Sequence, residues 1–502
     1  MKNLTHIAGR LNGTLINNLK DVSIEGISHD SRDVKQGYIY AVIKGASADG
    51  SRFINSAEAN GAVALLSDKA EDTELPVIIV KDVRAALGHA SAISFGEPSK
   101  SLKVAGITGT NGKTTITYLV ESILNAQNIN TGVMGTIEYR LKDKKWEANH
   151  TTPEATVVQN IFRKMLDAGA DAVVMEASSH GLVQGRLNGV DFDVVAFTNL
   201  TQDHLDYHKT MESYGDAKML LFTKAIANNK DAVAVVNIDD PFGQKIIENT
   251  DAKVITVSTD YLSGAELRPV EEPVFTIDGT NVRVNTRQGE FDINFSLSGK
   301  YNLNNMLMAL GIGMAMGVSA EAGAKALSAF KNVPGRLERV ENNKGFSIFV
   351  DYAHTPDALQ KVLSSLTPLT KGRLITVFGC GGDRDKEKRP LMGKAVAQNS
   401  DIAIITSDNP RTEDPSDIIA MIEDAVIKDG MRLFDFEKNP DVEKGYLNIT
   451  DRKAAINAAV KIARPDDTIL IAGKGHEDYV IIGTAKTHFD DREEARKALQ
   501  KL

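Results

Sequence analysis

Cysteine is almost absent: Cys380 is the only one in 502 residues. A single thiol excludes a disulfide framework and a zinc site built from several cysteines, and it fits a reducing compartment. Excess positive charge is missing as well. The 58 Lys and Arg residues face 67 Asp and Glu, leaving a formal charge of −9. A nucleic-acid partner held by bulk positive charge is therefore disfavoured. The amino-terminal MKNLTHIAGR lacks the apolar core of a signal peptide. The longest uncharged stretch, Tyr301 to Ala320, carries Asn302, Asn304 and Asn305. Amides are costly in lipid, so a buried helix is expected there and no membrane insertion. No repeat of 20–50 residues is visible, which argues against a solenoid or a propeller. A soluble, cytoplasmic monomer is the expectation.

What is present is alternation. Short apolar runs such as Val104–Ile107, Ala172–Met175, Val194–Phe197, Leu374–Phe378, Ile402–Ile405 and Thr468–Ala472 are separated by helix-like segments. That pattern predicts an α/β protein with parallel sheets covered on both faces. Breaks at Gly96–Ser101 and Asn332–Arg336 divide the chain into pieces 1–100, 101–333 and 334–502, each of ordinary domain size. Period-two alternation from Val254 to Phe295 predicts a strand-rich insertion or sheet extension.

The strongest local signal is Gly106-Ile107-Thr108-Gly109-Thr110-Asn111-Gly112-Lys113-Thr114-Thr115, after a strand and before a helix-like run from Lys113 to Asn125. Glycines let backbone N–H groups turn toward phosphate oxygens, and the helix N-terminus adds partial positive charge. Lys113 suits β/γ-phosphates and the Thr114 hydroxyl suits Mg²⁺. Ile107 stands where the strict phosphate-loop pattern has glycine, so this is a variant loop. Glu176 closes the run Val173-Val174-Met175-Glu176. Its carboxylate is a natural magnesium ligand, or else a helix N-cap. His204 and His208 have i, i+4 spacing without the H-E-x-x-H pattern of a zinc site. His204 reads as an outer ligand near magnesium, and His208 as a solvated helix residue. Lys218 looks like an ordinary solvent-facing lysine.

Taken together these residues resemble the Mur ligases, ATP-dependent enzymes that add amino acids to the peptidoglycan stem peptide. The resemblance rests on the variant loop, Glu176-x-Ser178-Ser179, Asp203-His204, Asn302-x-x-Asn305, Gly335-Arg336-x-Glu338 and Asp351-Tyr352-Ala353-His354. Further marks point to members that add the third residue: Asp30-Ser31-Arg32, Thr151-Thr152-Pro153, Ser178-Ser179-His180-Gly181-Leu182, Gly381-Gly382-Asp383-Arg384-Asp385 and Gly473-Lys474-Gly475-His476-Glu477. The resemblance implies a central phosphate-loop sheet domain and a Rossmann-like C-terminal domain. It implies ATP and Mg²⁺ as cofactors, with Thr114, Glu176, His204 and Lys218 around the metal and Lys218 carbamylated. Ser31, Thr151, Thr152, Ser178, Gln184 and Arg186 would hold UDP-N-acetylmuramoyl-L-Ala-D-Glu. Relatives often carry Asn just before the Thr pair; here His150 stands there, with Asn149 one step earlier. Asn302, Arg336 and Asp351 would touch the nucleotide, as would Gly109 to Thr115. The D-Glu carboxylate would attack the γ-phosphate, and an amine would displace phosphate from the acyl phosphate. Lys113, Lys218, His204 and Arg336 would serve that step. With the loop central and Arg336 C-terminal, closure between domains is expected.

The residue added is suggested by Asp408-Asn409-Pro410-Arg411, after the strand Ile402–Ile405. This form is similar to that of diaminopimelate-adding relatives. Meso-diaminopimelate is lysine with a second carboxylate, which a guanidinium can grip bidentately. Arg384, Gly473 and Glu477 match further contacts to the amino acid. A surface arginine after an Asn-Pro turn is the plainer reading of Arg411 alone. The competing functions are the same reaction with L-lysine, a folylpolyglutamate synthase-like ligase, and a non-catalytic nucleotide switch.

Overall fold

The computed structural model describes all residues except 1–2, 18–20, 46–48, 149, 228, 230, 436–437 and 440. Asn149 thus lies outside the described residues. The chain divides into two compact units. The first comprises residues 1–272, 283–293 and 304–327; the second comprises 273–282, 294–303 and 328–502.

Among the described residues, two sheets lie wholly within the first unit. The smaller has the strand order Thr14–Ile16, Val77–Ile79, Ala62–Ser67, Tyr38–Ala41, Gly26–Ser28. The larger runs Lys253–Val257, Val233–Asn237, Val194–Phe197, Lys103–Thr108, Ala172–Glu176, Thr131–Met134, Tyr139–Leu141, Lys144–Trp146. Its first six strands are parallel, and the last two are antiparallel additions at one edge. The inner strands are buried on both faces, as near-continuous Val, Ala and Phe runs require. Lys103–Thr108 pairs with Val194–Phe197; the chain continues from the first to Thr131–Met134 on one side and from the second to Val233–Asn237 on the other. Such a switch point opens a crevice beyond the carboxyl ends of the strands, where ligands bind in open α/β sheets.

The smaller sheet is joined to the larger by close backbone packing. A Cβ on Gly88, in helix Val83–Ser94, would fall 2.2 Å from the Asn188 carbonyl oxygen. A Cβ on Gly189 would fall 2.6 Å from the Gly88 oxygen. Both positions therefore require glycine.

The second unit has one six-stranded sheet, ordered Glu338–Arg339, Ser347–Asp351, Thr468–Ala472, Leu374–Phe378, Ile402–Ile405, Gly445–Asn448. All are parallel except the first. A hairpin, Tyr479–Ile482 with Ala485–His488, follows the sheet. The strand-rich expectation for 254–295 is met by Lys253–Val257, Arg268–Pro269, Val274–Thr276, Gly279–Thr286 and Gly289–Phe295. Residues 301–315 of the uncharged stretch lie in helix Lys300–Ala315, and residues 316–319 form the turn that leads to helix Ala320–Ala329. Among the described residues no helix is long and apolar enough to cross a membrane.

Candidate functional site

The loop after Lys103–Thr108 turns on two glycines in left-handed backbone, Gly109 (φ 147°) and Gly112 (φ 92°). Space forbids a side chain at either: a Cβ would lie 1.8 Å from Thr198 Oγ1 at position 109 and 2.4 Å from Asn305 Oδ1 at position 112. The neighbouring strand end fixes the rest. Asn199 accepts from Thr110 N and Asn111 N, each at 2.9 Å. Helix Lys113–Asn125 begins at the loop lysine. Lys113 Nζ lies over its own loop, donating to the carbonyls of Gly109 (2.8 Å) and Thr110 (2.9 Å). Thr114 and Thr115 are buried in the first turn.

Glu176, 1 % exposed, ends the adjacent strand. It is not a helix cap, because Ser178 caps the next helix by accepting from Gly181 N. Its Oε1 accepts from Thr114 Oγ1 (2.9 Å) and Thr136 N (2.9 Å), and its Oε2 from Thr136 Oγ1 (3.1 Å). A hydroxyl and a carboxylate meeting beside a phosphate-type loop are hard oxygen donors, the chemistry Mg²⁺ prefers. Among the described residues no three His, Cys, Asp or Glu side chains converge to hold a metal by themselves. Such a donor set suits a cation that keeps waters and shares phosphate oxygens, not a closed protein cage.

Two sequence readings are corrected here. His208 is not a solvated residue: it is buried, with Nε2 2.9 Å from Ser179 Oγ. Lys218 does not face solvent either: it is 1 % exposed, with Nζ 4.1 Å above the Tyr214 ring. Burial, reinforced by Lys113, holds the Lys218 amine well below the usual lysine range, against the opposing pull of Asp203. His204 has left-handed backbone (φ 53°) just before helix Leu205–His208. Its ring packs edge-on against His180 at 4.9 Å and lies 6.1 Å from Tyr214. His180 is lowered by burial and by His204; His208 is lowered by burial, the two other histidines and Lys218. Zinc pairing of His204 with His208 gains no third ligand among the described residues.

Several of the residues expected to hold the sugar-peptide cluster around Glu176. Thr152 Oγ1 donates to the Glu176 carbonyl (2.7 Å) and accepts from Ser178 N (2.9 Å). Thr151 Oγ1 is 3.0 Å from Thr136 Oγ1. Arg186 donates to the Thr152 carbonyl at 2.8 Å and pairs with Glu154 at 3.0 Å. Gln184 Nε2 donates to Tyr207 Oη at 3.3 Å. Ser31 opens the short turn Ser31–Asp33 on the smaller sheet, and His29 beside it lies 3.3 Å from Thr156 Oγ1.

In the second unit, Asp351 ends strand Ser347–Asp351 and accepts from Leu337 N (2.7 Å) and Ala353 N (2.8 Å). Burial raises its pKa, and Arg336 opposes that rise. The Arg336 guanidinium is 4.8 Å from the Tyr352 ring centroid. Tyr301, next to Asn302, is partly buried and within electrostatic reach of both Asp351 and Arg336. Asn302 itself donates to the Ser298 carbonyl at 2.9 Å. The His476 ring packs on Tyr352 at 4.8 Å, and burial together with Arg336 lowers it to about 3.

The carboxyl ends of Leu374–Phe378, Ile402–Ile405 and Thr468–Ala472 carry the second constellation. Asn409 is its hub: Oδ1 accepts from Lys474 Nζ (3.0 Å) and Ile481 N (3.0 Å), and Nδ2 donates to Glu477 Oε2 (3.1 Å). Lys474, fully buried, also pairs with Asp408 at 3.0 Å. Burial alone would raise Asp408, but Lys474 and Arg452 outweigh it and hold the acid low. Glu477 goes the other way, raised by burial and by Asp408. Gly473 (φ 118°) leaves room, since a Cβ would lie 3.0 Å from Asp408 Oδ2. Arg411 has left-handed backbone (φ 51°) and donates to the Gly382 carbonyl at 2.7 Å. Arg384 is exposed and donates to the Asp383 carbonyl at 3.1 Å. Both arginines flank Gly381, whose Cβ would meet Arg411 Nη1 at 3.0 Å and Arg384 Cγ at 4.0 Å. The sequence assigns Lys474 no role of its own; a lysine between glycines before His-Glu is the signal it offers. Cys380 is buried, with Sγ 3.4 Å from Met392 Sδ.

Comparison with known proteins bears on both constellations. Residues 23–94 match the Mur ligase family catalytic domain, 107–313 the Mur ligase middle domain and 335–475 the Mur ligase glutamate ligase domain. The UDP-N-acetylmuramoyl-L-alanyl-D-glutamate–2,6-diaminopimelate ligase of Geobacter metallireducens is 44% identical over 490 residues, covering 96% of this chain and 95% of the relative. The same-named ligase of Clostridium tetani is 39% identical over 515 residues, covering 99% of each. A solved structure of a ligase of that name superposes with a TM-score of 0.71 at 34% identity, over 95% of each chain. MurF from Acinetobacter baumannii shares the fold, with a TM-score of 0.64 at 18% identity over 99% of this chain and 97% of that one.

Proposed function

The chain belongs to the Mur ligase family, and from that premise we propose that it joins meso-diaminopimelate to UDP-N-acetylmuramoyl-L-Ala-D-Glu, with cleavage of ATP to ADP and phosphate, in cytoplasmic peptidoglycan precursor synthesis. The observation that carries this reading is the Thr114–Glu176 hydrogen bond at the mouth of the loop, with Thr152, Ser178 and Arg186 around the same strand end. The loop and several of the sugar-peptide candidates thus meet at the end of one strand, Ala172–Glu176.

The chemistry must bring an anionic carboxylate to an anionic phosphate. Two like charges 4 Å apart repel by about 4 kcal/mol at an effective dielectric of 20, roughly a thousandfold in rate. Lys113 supplies one neutralising charge, and Arg336 in the second unit is proposed as another. Asn302 and Asp351 are assigned to the nucleotide. Thr114 and Glu176, with His204 and a carbamylated Lys218 nearby, would hold Mg²⁺, which supplies charge neutralisation at the phosphates when bound. Burial and Lys113 shift the Lys218 amine toward its neutral form, which is the form that adds carbon dioxide. In the second unit, Glu477 suits the ammonium of the incoming amino acid, and Arg384 and Arg411 suit its distal carboxylate. Lysine would leave that pair without an anion, and polar sites of this kind can reject such an analogue by about 10⁴–10⁵.

Phosphate release, measured with UDP-muramoyl-dipeptide and either diaminopimelate or lysine, tests the reading. Release that needs both the dipeptide and diaminopimelate is expected. Release with lysine alone overturns the specificity, and release independent of any amino acid overturns the ligase.

A further inference from the structure

Two loops that carry the arginines are tied together by residues with no place in the reaction above. One loop follows Leu374–Phe378 and contains Arg384; the other follows Ile402–Ile405 and contains Arg411. Their backbones touch directly. Gly382 N donates to the Asn409 carbonyl at 2.9 Å, and a Cβ on Gly382 would lie 1.9 Å from the Pro410 oxygen. Arg389, 1 % exposed in its side chain, is anchored in helix Lys388–Asn399 and makes a bidentate pair with Glu413, Nη1 at 3.0 Å and Nη2 at 2.8 Å. Glu413 Oε1 also accepts from Asp383 N at 2.6 Å. The Asp383 carboxylate in turn accepts from Thr412 Oγ1 at 2.8 Å. Asp383, like Arg411, has left-handed backbone (φ 52° and 51°), a conformation that non-glycine residues hold only when their surroundings impose it.

We propose that Arg389, Glu413, Asp383 and Thr412 form a brace that sets amino-acid selectivity by fixing the spacing of Arg384 and Arg411. None of the four needs to touch the amino acid; they are positioning residues. The physical argument is geometric. Bidentate recognition of a carboxylate tolerates little misplacement, since a shift near 1 Å can cost about a hundredfold. Arg411 Nη1 is aimed by the Gly382 carbonyl, which shares its peptide group with the Asp383 amide that Glu413 grips. Releasing Glu413 or Thr412 lets one loop slide against the other. The Arg389 guanidinium also holds the Glu413 carboxyl low, at about 2, so the pair stays ionic at working pH. This inference rests on the reading of Arg384 and Arg411 as contacts to the distal carboxylate.

The test compares full-length wild type with Glu413→Gln and Thr412→Val. Thr412 is exposed, so its replacement leaves the core intact. The KM for diaminopimelate is expected to rise about tenfold in Glu413→Gln and about threefold in Thr412→Val, the scale of losing a charge-assisted and a lesser hydrogen bond. The KM values for ATP and UDP-muramoyl-dipeptide, and kcat at saturating amino acid, stay within about twofold of wild type. The preference for diaminopimelate over lysine in kcat/KM falls in step. An unchanged diaminopimelate KM in Thr412→Val overturns the brace, even if Glu413→Gln fails to fold. So does an equal rise in all three KM values. If wild type itself does not use diaminopimelate, the functional reading fails instead, and the two failures are told apart by that control.

Discussion

The Thr114 hydroxyl donates to Glu176 Oε1 across 2.9 Å, tying the residue after the loop lysine to the end of the neighbouring strand. The carboxylate is held by three donors on two segments, all of them hydroxyls or amides. Glu176→Gln keeps the shape and one acceptor oxygen while removing the charge. Phosphate release is expected to fall by about a hundredfold or more, the scale of losing one preorganised electrostatic group. Steady-state rates across a magnesium titration check this; wild-type rates at every magnesium concentration would refute the metal assignment.

Lys218 should carry a carbamate. A free lysine near pH 7 has well under ~0.1% of its amine neutral. Burial and Lys113 lower the Lys218 pKa, so a larger share of its amine is in the reactive neutral form than in a free lysine. Intact mass measured in bicarbonate is expected to show a gain of one carbon dioxide, absent in Lys218→Met, together with a drop in activity of about a hundredfold in that variant. No mass gain and undiminished activity would remove the proposal.

Amino-acid binding should weaken on acidification earlier than an ordinary glutamate would dictate. Burial and Asp408 raise the Glu477 pKa, and only the ionised carboxylate attracts an ammonium. As pH falls through that raised value, Glu477 takes up a proton and the KM for diaminopimelate climbs. The climb begins above the usual glutamate value of about 4.3. Glu477→Gln should have a higher KM at neutral pH and lose this pH dependence; a KM–pH profile superimposable on wild type would exclude the ammonium role.

Stability of the second unit should depend on Arg452 and Asp491. The pair is fully buried, with two hydrogen bonds of 2.7 Å, and Arg452 also donates to the Ala472 carbonyl at 3.0 Å. Removing one partner strands a charge, so Asp491→Asn is expected to cost about 3–5 kcal/mol in urea unfolding. The double replacement Arg452→Met with Asp491→Leu should cost less than either single change. Additive losses would contradict this.

The elements legible in the sequence are those with local causes. Helix Lys113–Asn125 has the bounds read from the chain, because glycine, lysine and apolar periodicity lie side by side. Asp408 to Arg411 and Gly473 to Glu477 stood out as motifs after strands, and the structure joins them through Asn409. Nothing in their own helices marks Lys218 and His208 as buried, so their burial is not legible in the sequence. Their surroundings come from elsewhere: Lys113 lies over a hundred residues earlier in the chain, and Ser179 lies 29 residues before His208. Arg389 was invisible for the same reason. Its partner Glu413 is 24 residues away, and a pattern of charges along a chain does not say which pairs will meet.

Gly88 and Gly189 meet main chain to main chain, with no side chain able to come between. Such a seam offers evolution nothing to trade: any substitution on one side must be answered by moving the whole opposing segment. The amino-terminal module and the 185–190 turn should therefore be inherited together. A chimaera that grafts a foreign first module onto this ligase will assemble only if the donor brings a glycine to the same spot.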